Sequence, residues 1–295
     1  MSAEYSVSEL FKFHLDTYYS NQENSENYEL ETRFNTKGVK TTRLQFEKVI
    51  QILKSKGFSV IDGENGMNIL KIQNEFLDPT LVGGQRVSKI RTEIEGITSV
   101  QEYCRTNDIN KVIDKNAFGV SFQNKTFIKN EKSESVFPID VKEYNLRISY
   151  QKEVELGEYS GIIKGLKGEW AETKKIFRYM NRTTFTHPAY PFKVDMSIVK
   201  SSTFDHRKKP IPVYKIEESG VFTNPETFEI EIELDNILMK KSLTDNPPNT
   251  QENADKLKAM LSKLIKFVLS GLQNTPYPQP YPIIDTMKNE YLELL

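Results

Sequence analysis

The sequence contains few of the residue types on which several common kinds of site depend. Its 295 residues include one cysteine, Cys104, three histidines and one tryptophan. A single cysteine excludes an internal disulfide and a multi-cysteine zinc site, and it is typical of a reducing, intracellular compartment. The first residues lack a basic segment followed by an apolar run, so we expect no signal peptide. No apolar stretch reaches the length of a transmembrane helix, and we expect no membrane partner.

The motifs of several phosphate-handling enzyme classes are also absent. Gly161, Gly165 and Gly168 do not have the spacing of a Gly-x₄-Gly-Lys-Ser/Thr loop. Cys104 lacks the loop with a closing arginine on which cysteine phosphatases depend. The stretch 60–63 lacks the lysine that covalent nucleotidyl transfer requires. The sequence therefore predicts neither a P-loop enzyme, nor a cysteine phosphatase, nor a nucleotidyl transferase.

Charge is balanced overall but sorted along the chain. The 40 lysines and arginines nearly cancel the 41 aspartates and glutamates, so the net charge of −1 indicates no class of partner. Residues 228–235, however, alternate with period two, which predicts a strand. One face is apolar, and the other carries Glu229, Glu231 and Glu233. Same-face residues lie about 7 Å apart on a strand, so three carboxylates share a small volume.

A second acidic strand is predicted near the other end of the chain. Residues 28–34 repeat the alternation and place Glu29 and Glu31 on one face. Carboxylates held this close raise one another's pKa unless cations neutralise them. Oxygen ligands without nearby histidine or cysteine suit Mg²⁺ or Mn²⁺. The two strands therefore predict a shared site for Mg²⁺ or Mn²⁺, with a solvated sheet face as the alternative.

Other predicted strands carry lysine or arginine on their polar faces. They lie within residues 86–94, 118–132, 144–153, 176–185 and 192–199. Their bases include Lys89, Arg91, Lys125, Lys129, Arg147, Arg178, Arg182 and Lys193. Closing such a sheet with its charged faces inward removes its edges and creates a polar tunnel, whose apolar outer face then needs covering by helices. We therefore predict a mainly β (α+β) fold, a closed antiparallel barrel with helices outside.

The remaining segments set the expected domain organisation. We expect helices at 7–19, 41–56 and 253–272, a β-like, turn-rich region at 58–137, and a loop at 157–170. Residues 275–282 are rich in proline and predict an extended connector. The predicted units are an N-terminal helix and loop at 1–24, the barrel at 25–240, and a C-terminal helix and connector at 241–295. The connector is expected to lead to a downstream domain absent from this chain.

The predicted combination of a metal site and surrounding bases indicates a chemistry. A hard divalent cation beside arginine and lysine side chains is suited to an oligophosphate, and hydrolysis of a terminal phosphate is the natural reaction. A non-catalytic module that binds phosphate or RNA would share the bases. It would gain nothing from two acidic strands, which repel an anion when no metal is bound.

These residues resemble the triphosphate tunnel metalloenzymes, and within them the RNA triphosphatase domains of viral mRNA capping enzymes. The likeness is to capping enzymes of the African swine fever virus type, from large cytoplasmic DNA viruses. It covers residues 25–240 and depends on a Glu-x-Glu first strand and a Glu-x-Glu-x-Glu late strand. It implies a barrel of about eight strands and metal-dependent removal of the γ-phosphate from 5′-triphosphate RNA, the first step of cap synthesis. A tripolyphosphatase or nucleoside triphosphatase of the same tunnel type, or a non-catalytic RNA-end or polyphosphate-binding module, remain alternatives.

The resemblance also implies roles for individual residues. Glu153 would hold the nucleophilic water, Asp195 would orient a base or a water, and Arg182 would contact phosphate. Metal ligands would be Glu29, Glu31, Glu229, Glu231 and Glu233. Further phosphate contacts would be Lys89, Arg91, Lys129, Arg147, Arg178 and Lys193. The chain departs from the family at Met180, where a base is common.

The resemblance places the protein in a pathway. The expected substrate is 5′-triphosphate RNA, that is, nascent mRNA. Guanylyltransferase and methyltransferase domains are the expected partners, either fused or associated. The expected location is the host cytoplasm, the virion or both.

Overall fold

The computed structural model describes residues 6–20, 27–35, 40–61, 63, 65–77, 84–243 and 250–293. Within them, eleven strands form one sheet. The strands are β1 (Tyr28–Phe34), β2 (Ser59–Val60), β3 (Met67–Leu77), β4 (Gln85–Val87), β5 (Ile90–Glu95), β6 (Val120–Phe127), β7 (Ile139–Val141), β8 (Leu146–Glu155), β9 (Lys175–His187), β10 (Tyr190–Ser201) and β11 (Thr227–Leu234). The described α-helices are α1 (Val7–Ser20), α2 (Arg43–Ser55), α3 (Ile97–Thr106), α4 (Ile109–Lys115), α5 (Gly161–Gly168), α6 (Asn236–Ser242), α7 (Thr250–Gln273) and α8 (Tyr281–Glu293).

Eight of the strands close into an antiparallel barrel. Their order is β3-β9-β10-β11-β1-β8-β6-β5, and the ring closes because β3 pairs with both β5 and β9. The short strands β2, β4 and β7 add to the edges of β9, β3 and β8. Closure leaves no open edge on the ring, which confirms the predicted tunnel architecture.

The antiparallel order gives the barrel two distinct rims. One rim, which we call the Tyr28 rim, contains the first residues of β1, β3, β6 and β10 and the last residues of β5, β8, β9 and β11. The opposite Phe34 rim contains the other ends of the same strands. Because strands run from rim to rim, the position of a residue along its strand fixes its depth in the tunnel.

The apolar side chains of the barrel point outward, and helices cover them. Leu30, Val194 and Ile232 are buried in a core that also contains side chains of α1, α2 and α7. A second core lies under α3, α4 and α5, where Tyr103 and Trp170 are buried. The expected covering by the helices at 41–56 and 253–272 is therefore confirmed.

The local signals that predicted α2 are present in the structure. The Gln45 backbone N–H donates to the Thr42 hydroxyl, and the Thr42 N–H donates to the Gln45 side chain. This reciprocal capping box satisfies two N–H groups that would lack partners at the start of the helix. Val49 and Leu53 on its apolar stripe are fully buried.

Several elements differ from the sequence-based expectation. α3 and α4 lie inside the stretch expected to be β-like, and α5 occupies the expected loop at 157–170. Residues 118–132, whose pattern indicates a hairpin or paired strands, contain one strand, β6, and the start of a hairpin that the Lys129–Ser135 bridge closes. The helices are short, and short helices depend on tertiary packing more than on propensity. Tyr103 of α3 and Ile163 of α5 provide that packing, since both are fully buried.

At the C-terminal end, α8 follows the proline-rich connector and begins at Tyr281, with Pro282 in its first turn, where proline is well tolerated. Among the helices that the structure describes, none combines the length and apolar character needed to cross a membrane. The proposed unit boundaries at 24/25 and 240/241 stay predictions.

The contact between α2 and α7 depends on the small side chain of Gly271. A Cβ atom at Gly271 would lie 2.6 Å from Val49 Cγ2 and 2.7 Å from Val49 Cα. We expect Gly271→Ala to force the two helices apart and lower the free energy of unfolding by roughly 1–3 kcal/mol, measured by urea denaturation.

Gly165→Ala in α5 is the matched control. Nothing lies within 4 Å of a Cβ built at Gly165. This substitution should raise the free energy of unfolding by roughly 0.5–1 kcal/mol, since alanine favours a helix interior. Equal effects of the two substitutions would contradict the assigned packing of α7.

Candidate active site

The barrel encloses a cavity of about 780 Å³ whose walls are highly charged. All eight barrel strands contribute at least one ionisable side chain to it. The charged side chains of these strands that line it are Glu29, Glu31, Arg33, Lys71, Arg91, Glu93, Lys125, Glu153, Glu155, Arg178, Arg182, Lys193, Glu231 and Glu233. The polar tunnel interior predicted from the alternating strands is therefore present.

Two of the acids on β11 are neutralised by arginines. Arg33 Nη2 lies 2.6 Å from Glu231 Oε1 and 3.2 Å from Glu229 Oε2. Arg182 Nη2 lies 3.1 Å from Glu231 Oε2, and Arg178 pairs with Glu229. Burial alone would raise the pKa of Glu231, but the nearby arginines outweigh it and lower that pKa to about 2. Glu231 therefore stays ionised throughout the physiological pH range.

A second group of acids has much less positive charge around it. We call Glu29, Glu31 and Glu233 the acidic cluster; Glu31 lies opposite Glu233 in the β1–β11 ladder. Burial and neighbouring carboxylates raise the pKa of all three. The pKa of Glu233 rises to about 8 because of burial and the charges of Glu29 and Asp195. Lys125 pairs with Glu29 and lies 3.6 Å from Glu31.

Asp195 fixes the position of Arg182 from outside the cavity. Asp195 is buried and does not line the cavity. Its Oδ2 lies 3.0 Å from Arg182 Nη1, and its Oδ1 accepts a hydrogen bond from Thr184 Oγ1. Arg182 Nε donates in addition to Ser197 Oγ, at 3.2 Å. With Glu231, these contacts fix both the position and the orientation of the guanidinium group.

A third set of charges spans β3, β5 and β8. Arg91 lies 2.8 Å from Glu153 and 2.9 Å from Glu93, while Lys71 Nζ lies 2.9 Å from the same Glu93 oxygen. Arg91 is therefore shared between two carboxylates. An anion that binds Arg91 would weaken its hold on Glu153.

The structure places three of the expected phosphate-binding residues outside the cavity lining. Lys89 and Lys129 are exposed at the Phe34 rim. Arg147 lies opposite Arg33 in the β1–β8 ladder and makes two hydrogen bonds to Asp140, at 2.7 and 3.2 Å. Arg91, Arg178, Arg182 and Lys193 do line the cavity.

Sequence reasoning missed three cations that line the cavity, namely Arg33, Lys71 and Lys125. Arg33 continues the period-two face of Glu29 and Glu31, and that signal was available. The alternation within residues 118–132 identifies Lys125 as a base of its strand, but the family resemblance assigns it no role in the site. Lys71 lies on β3, within the turn-rich region 58–137, whose pattern does not fix the bounds of individual strands.

One wall of the lumen is apolar. Met180 packs with Ile69 and Val199, and all three are buried on inward-facing positions of β9, β3 and β10. A methionine at this position contributes no charge to the tunnel. Arg178, the next inward-facing residue of β9, lines the cavity but pairs with Glu229.

The acidic cluster is the group whose chemistry fits a divalent cation. Within the described residues, no three Asp, Glu, His or Cys side chains are already arranged as a ligand set. Glu31 instead accepts a hydrogen bond from Ser149, and Glu29 pairs with Lys125. However, burial and neighbouring carboxylates raise the pKa of all three acids, so their ionised forms are incompletely compensated, and hard oxygen donors are those that Mg²⁺ and Mn²⁺ prefer.

Comparison with known proteins shows the fold. No protein-family model and no curated protein matches the chain. Among solved structures, it is similar to the Mimivirus capping enzyme triphosphatase, with 17% identity and a TM-score of 0.50 over 88% of this chain and 95% of that one. The S. pombe Pct1 RNA triphosphatase aligns with 13% identity and a TM-score of 0.41, over 92% and 91% of the two chains. The chain therefore shares the fold of the Mimivirus protein.

The raised pKa of Glu233 predicts a pH dependence of stability. The folded chain binds more protons than the unfolded chain between the ordinary glutamate pKa of 4.5 and about 8. Stability must therefore fall as pH rises through this window. We expect Glu233→Gln to melt at a higher temperature than the native chain at pH 8.5, and the difference to shrink towards pH 5.

Glu231→Gln should have the opposite effect, because the pKa of Glu231 is lowered to about 2. The stabilisation by its ionised form is present above pH 4.5 and is lost as pH falls towards 2. We expect Glu231→Gln to lower the free energy of unfolding at pH 7 by roughly 3 kcal/mol, measured by urea denaturation. Similar effects of the two substitutions at every pH would contradict the division of the acids into two groups.

Proposed function

We propose that the protein is a metal-dependent RNA 5′-triphosphatase that removes the γ-phosphate of 5′-triphosphate RNA in the first step of cap synthesis. The observation that carries this proposal is the closed tunnel in which the acidic cluster lies among inward-facing arginines and lysines. The shared fold with a capping-enzyme triphosphatase supports it. A wholly basic lumen would suit anion binding alone, whereas this lumen also holds acids with raised pKa.

Glu29, Glu31 and Glu233 would hold Mg²⁺ or Mn²⁺. When bound, the cation would offset the excess negative charge of these carboxylates and polarise the terminal phosphate. Lys125, which pairs with Glu29 in the structure, would then be free to contact a phosphate oxygen. Glu229 and Glu231 have a different role in this proposal, because they hold Arg33, Arg178 and Arg182.

The bases of the cavity would bind the triphosphate. Arg182 is held by Asp195 and Glu231, and its guanidinium lines the cavity. A fixed guanidinium can stabilise charge that develops on the transferred phosphoryl group without first reorganising. Arg91 and Lys125 lie on the neighbouring strands β5 and β6, and they would provide further positive charge for the triphosphate.

Glu153 would orient the attacking water. In the structure Glu153 contacts Arg91, which also contacts Glu93. Binding of a phosphate oxygen to Arg91 would weaken its contact with Glu153. The freed carboxylate can then accept a hydrogen bond from water and, as the water attacks, its proton.

The product of the proposed reaction determines which class of enzyme acts next. In this proposal the tunnel would contact phosphates and not base edges, and it would therefore read the triphosphate end and not the RNA sequence. Its product is RNA with a 5′-diphosphate end, which a guanylyltransferase consumes before methylation. We therefore propose guanylyltransferase and methyltransferase activities as partners, either fused or associated.

The direct test is release of γ-phosphate from a short 5′-triphosphate RNA in Mg²⁺, in Mn²⁺ and in EDTA. We expect metal-dependent release that Glu29→Gln lowers at least a hundredfold, since it removes one charge from the acidic cluster. Glu47→Gln, on the exposed face of α2, is the matched control and should retain full activity. Circular dichroism would establish that both variants are folded.

Folded protein that binds the RNA in EDTA but releases no phosphate with either metal would contradict the enzyme and favour a non-catalytic RNA-end module. Competition between RNA, ATP and tripolyphosphate tests the remaining alternative. Tripolyphosphate turned over much faster than RNA would favour a tripolyphosphatase of the same tunnel type.

A further inference from the structure

The two rims of the barrel differ in charge. At the Tyr28 rim, Glu95 and Glu155 are exposed, and Asp235 pairs with Lys193. The described charged residues at the Phe34 rim include Arg33, Lys89, Arg147 and Arg178. Two carboxylates at this rim are engaged, since Asp140 pairs with Arg147 and Glu229 pairs with Arg33 and Arg178. An anionic chain is therefore favoured at the Phe34 rim and disfavoured at the Tyr28 rim.

We propose that the RNA behind the 5′-triphosphate lies across the Phe34 rim, where exposed phenylalanines stack on its first bases and lysines and arginines of two loops contact its phosphodiesters. This inference rests on the proposed function and names the mouth by which the substrate enters. It assigns a binding site outside the tunnel to residues that the reaction itself does not use.

The first loop is a hairpin at residues 128–136, between β6 and β7. The Lys129–Ser135 bridge and a hydrogen bond from Val136 N to Ile128 O close it. Lys129 and Lys132 are exposed, and they alternate with Glu131 and Glu134, so the hairpin carries no net charge. At its base, Phe127 and Phe137 have ring centroids 5.7 Å apart and are about half exposed, at 50% and 48%. The hairpin thus presents two aromatic faces beside lysines.

The second loop follows β10 and borders the tunnel directly. Phe204 bridges to Pro210, and both residues line the cavity. The Phe204 side chain is nevertheless 54% exposed. Asp205 Oδ1 accepts hydrogen bonds from the backbone N–H groups of Arg207 and Lys209, at 2.9 and 2.8 Å. The turn therefore holds three successive bases, residues 207–209, in a fixed arrangement next to an aromatic ring at the mouth.

This combination fits single-stranded RNA. Aromatic faces stack on bases of any sequence, and neighbouring lysines and arginines contact the backbone phosphates. The order of charges along the tunnel agrees with entrance from this side. An incoming 5′-triphosphate would pass Arg33 and Arg178 first, while Glu29 and Glu233 lie deeper, towards the Tyr28 rim. The γ-phosphate would thus enter the tunnel ahead of the rest of the RNA and reach the acidic cluster.

The test measures binding separately from hydrolysis. A 5′-triphosphate RNA of about ten nucleotides, labelled at its 3′ end, is titrated with protein in EDTA and followed by fluorescence anisotropy. The variants are the double substitution Phe127→Ala with Phe137→Ala, then Phe204→Ala, and Lys129→Glu. Phe118→Ala is the matched aromatic control, because Phe118 is fully exposed just before β6, at the Tyr28 rim. Lys111→Glu, on exposed Lys111 of α4, is the charge control.

We expect the dissociation constant to rise about tenfold for the aromatic variants and several-fold for Lys129→Glu, and to stay unchanged for both controls. In the hydrolysis assay, the double variant should lose about ten times more kcat/KM with the RNA than with tripolyphosphate. Lys129→Glu should also weaken the dependence of RNA affinity on salt.

Native affinity in all of the rim variants, or an equal loss in Phe118→Ala and Lys111→Glu, would overturn the proposal. Loss of RNA binding in the rim variants, when the native protein releases no phosphate from any substrate, would keep the rim site and refute the hydrolase. Normal hydrolysis of RNA by all rim variants would refute the rim site and keep the hydrolase. The two proposals therefore fail in different ways.

Discussion

The structure depends on keeping a large number of charges inside a closed barrel. A charge removed from water is costly unless an opposite charge or hydrogen bonds compensate it. The barrel meets this requirement by arranging acids and bases on strands that are adjacent or separated by one strand, as with Glu231 between Arg33 and Arg182. The β3–β9 pairing that closes the ring brings the last of these strands together. The apolar side chains then face outward, which is why helices must cover the barrel.

The carboxylates inside the lumen are not all compensated by positive charge to the same extent. This difference divides them into two groups with different chemical roles. The arginines lower the pKa of Glu231, whereas burial and neighbouring carboxylates raise the pKa of Glu29, Glu31 and Glu233. The first arrangement makes a rigid set of arginines for phosphate. The second gathers three largely buried carboxylates, two of them close to Lys125, at a point where a divalent cation would compensate their charge. The acids of the two strands therefore serve two purposes, and β11 contributes to both, although all of these acids follow the same alternating pattern.

Much of this architecture could be predicted from strict alternation. β1 has the predicted bounds, and β11 differs by one residue at each end, because one face of each is buried and one is charged. The different roles of Glu229 and Glu231, which pair with arginines, and of Glu233, which belongs to the acidic cluster, could not be predicted. These roles depend on Arg33 and Arg182, which register brings beside β11 from two different strands. Lys89, Lys129 and Arg147 alternate as tunnel bases do, but their strand ends place them at the rim. Alternation fixes the face of a residue, whereas depth in the tunnel depends on register.

The most direct test of this account is a titration of the protein with Mn²⁺, followed by electron paramagnetic resonance in the absence of substrate. The account predicts saturable binding that Glu29→Gln and Glu233→Gln each weaken at least tenfold. Glu47→Gln, on the outside of the barrel, should leave binding unchanged. Binding that is absent in the native protein, or that persists unaltered in both cluster variants, would contradict the assignment of these carboxylates to a metal.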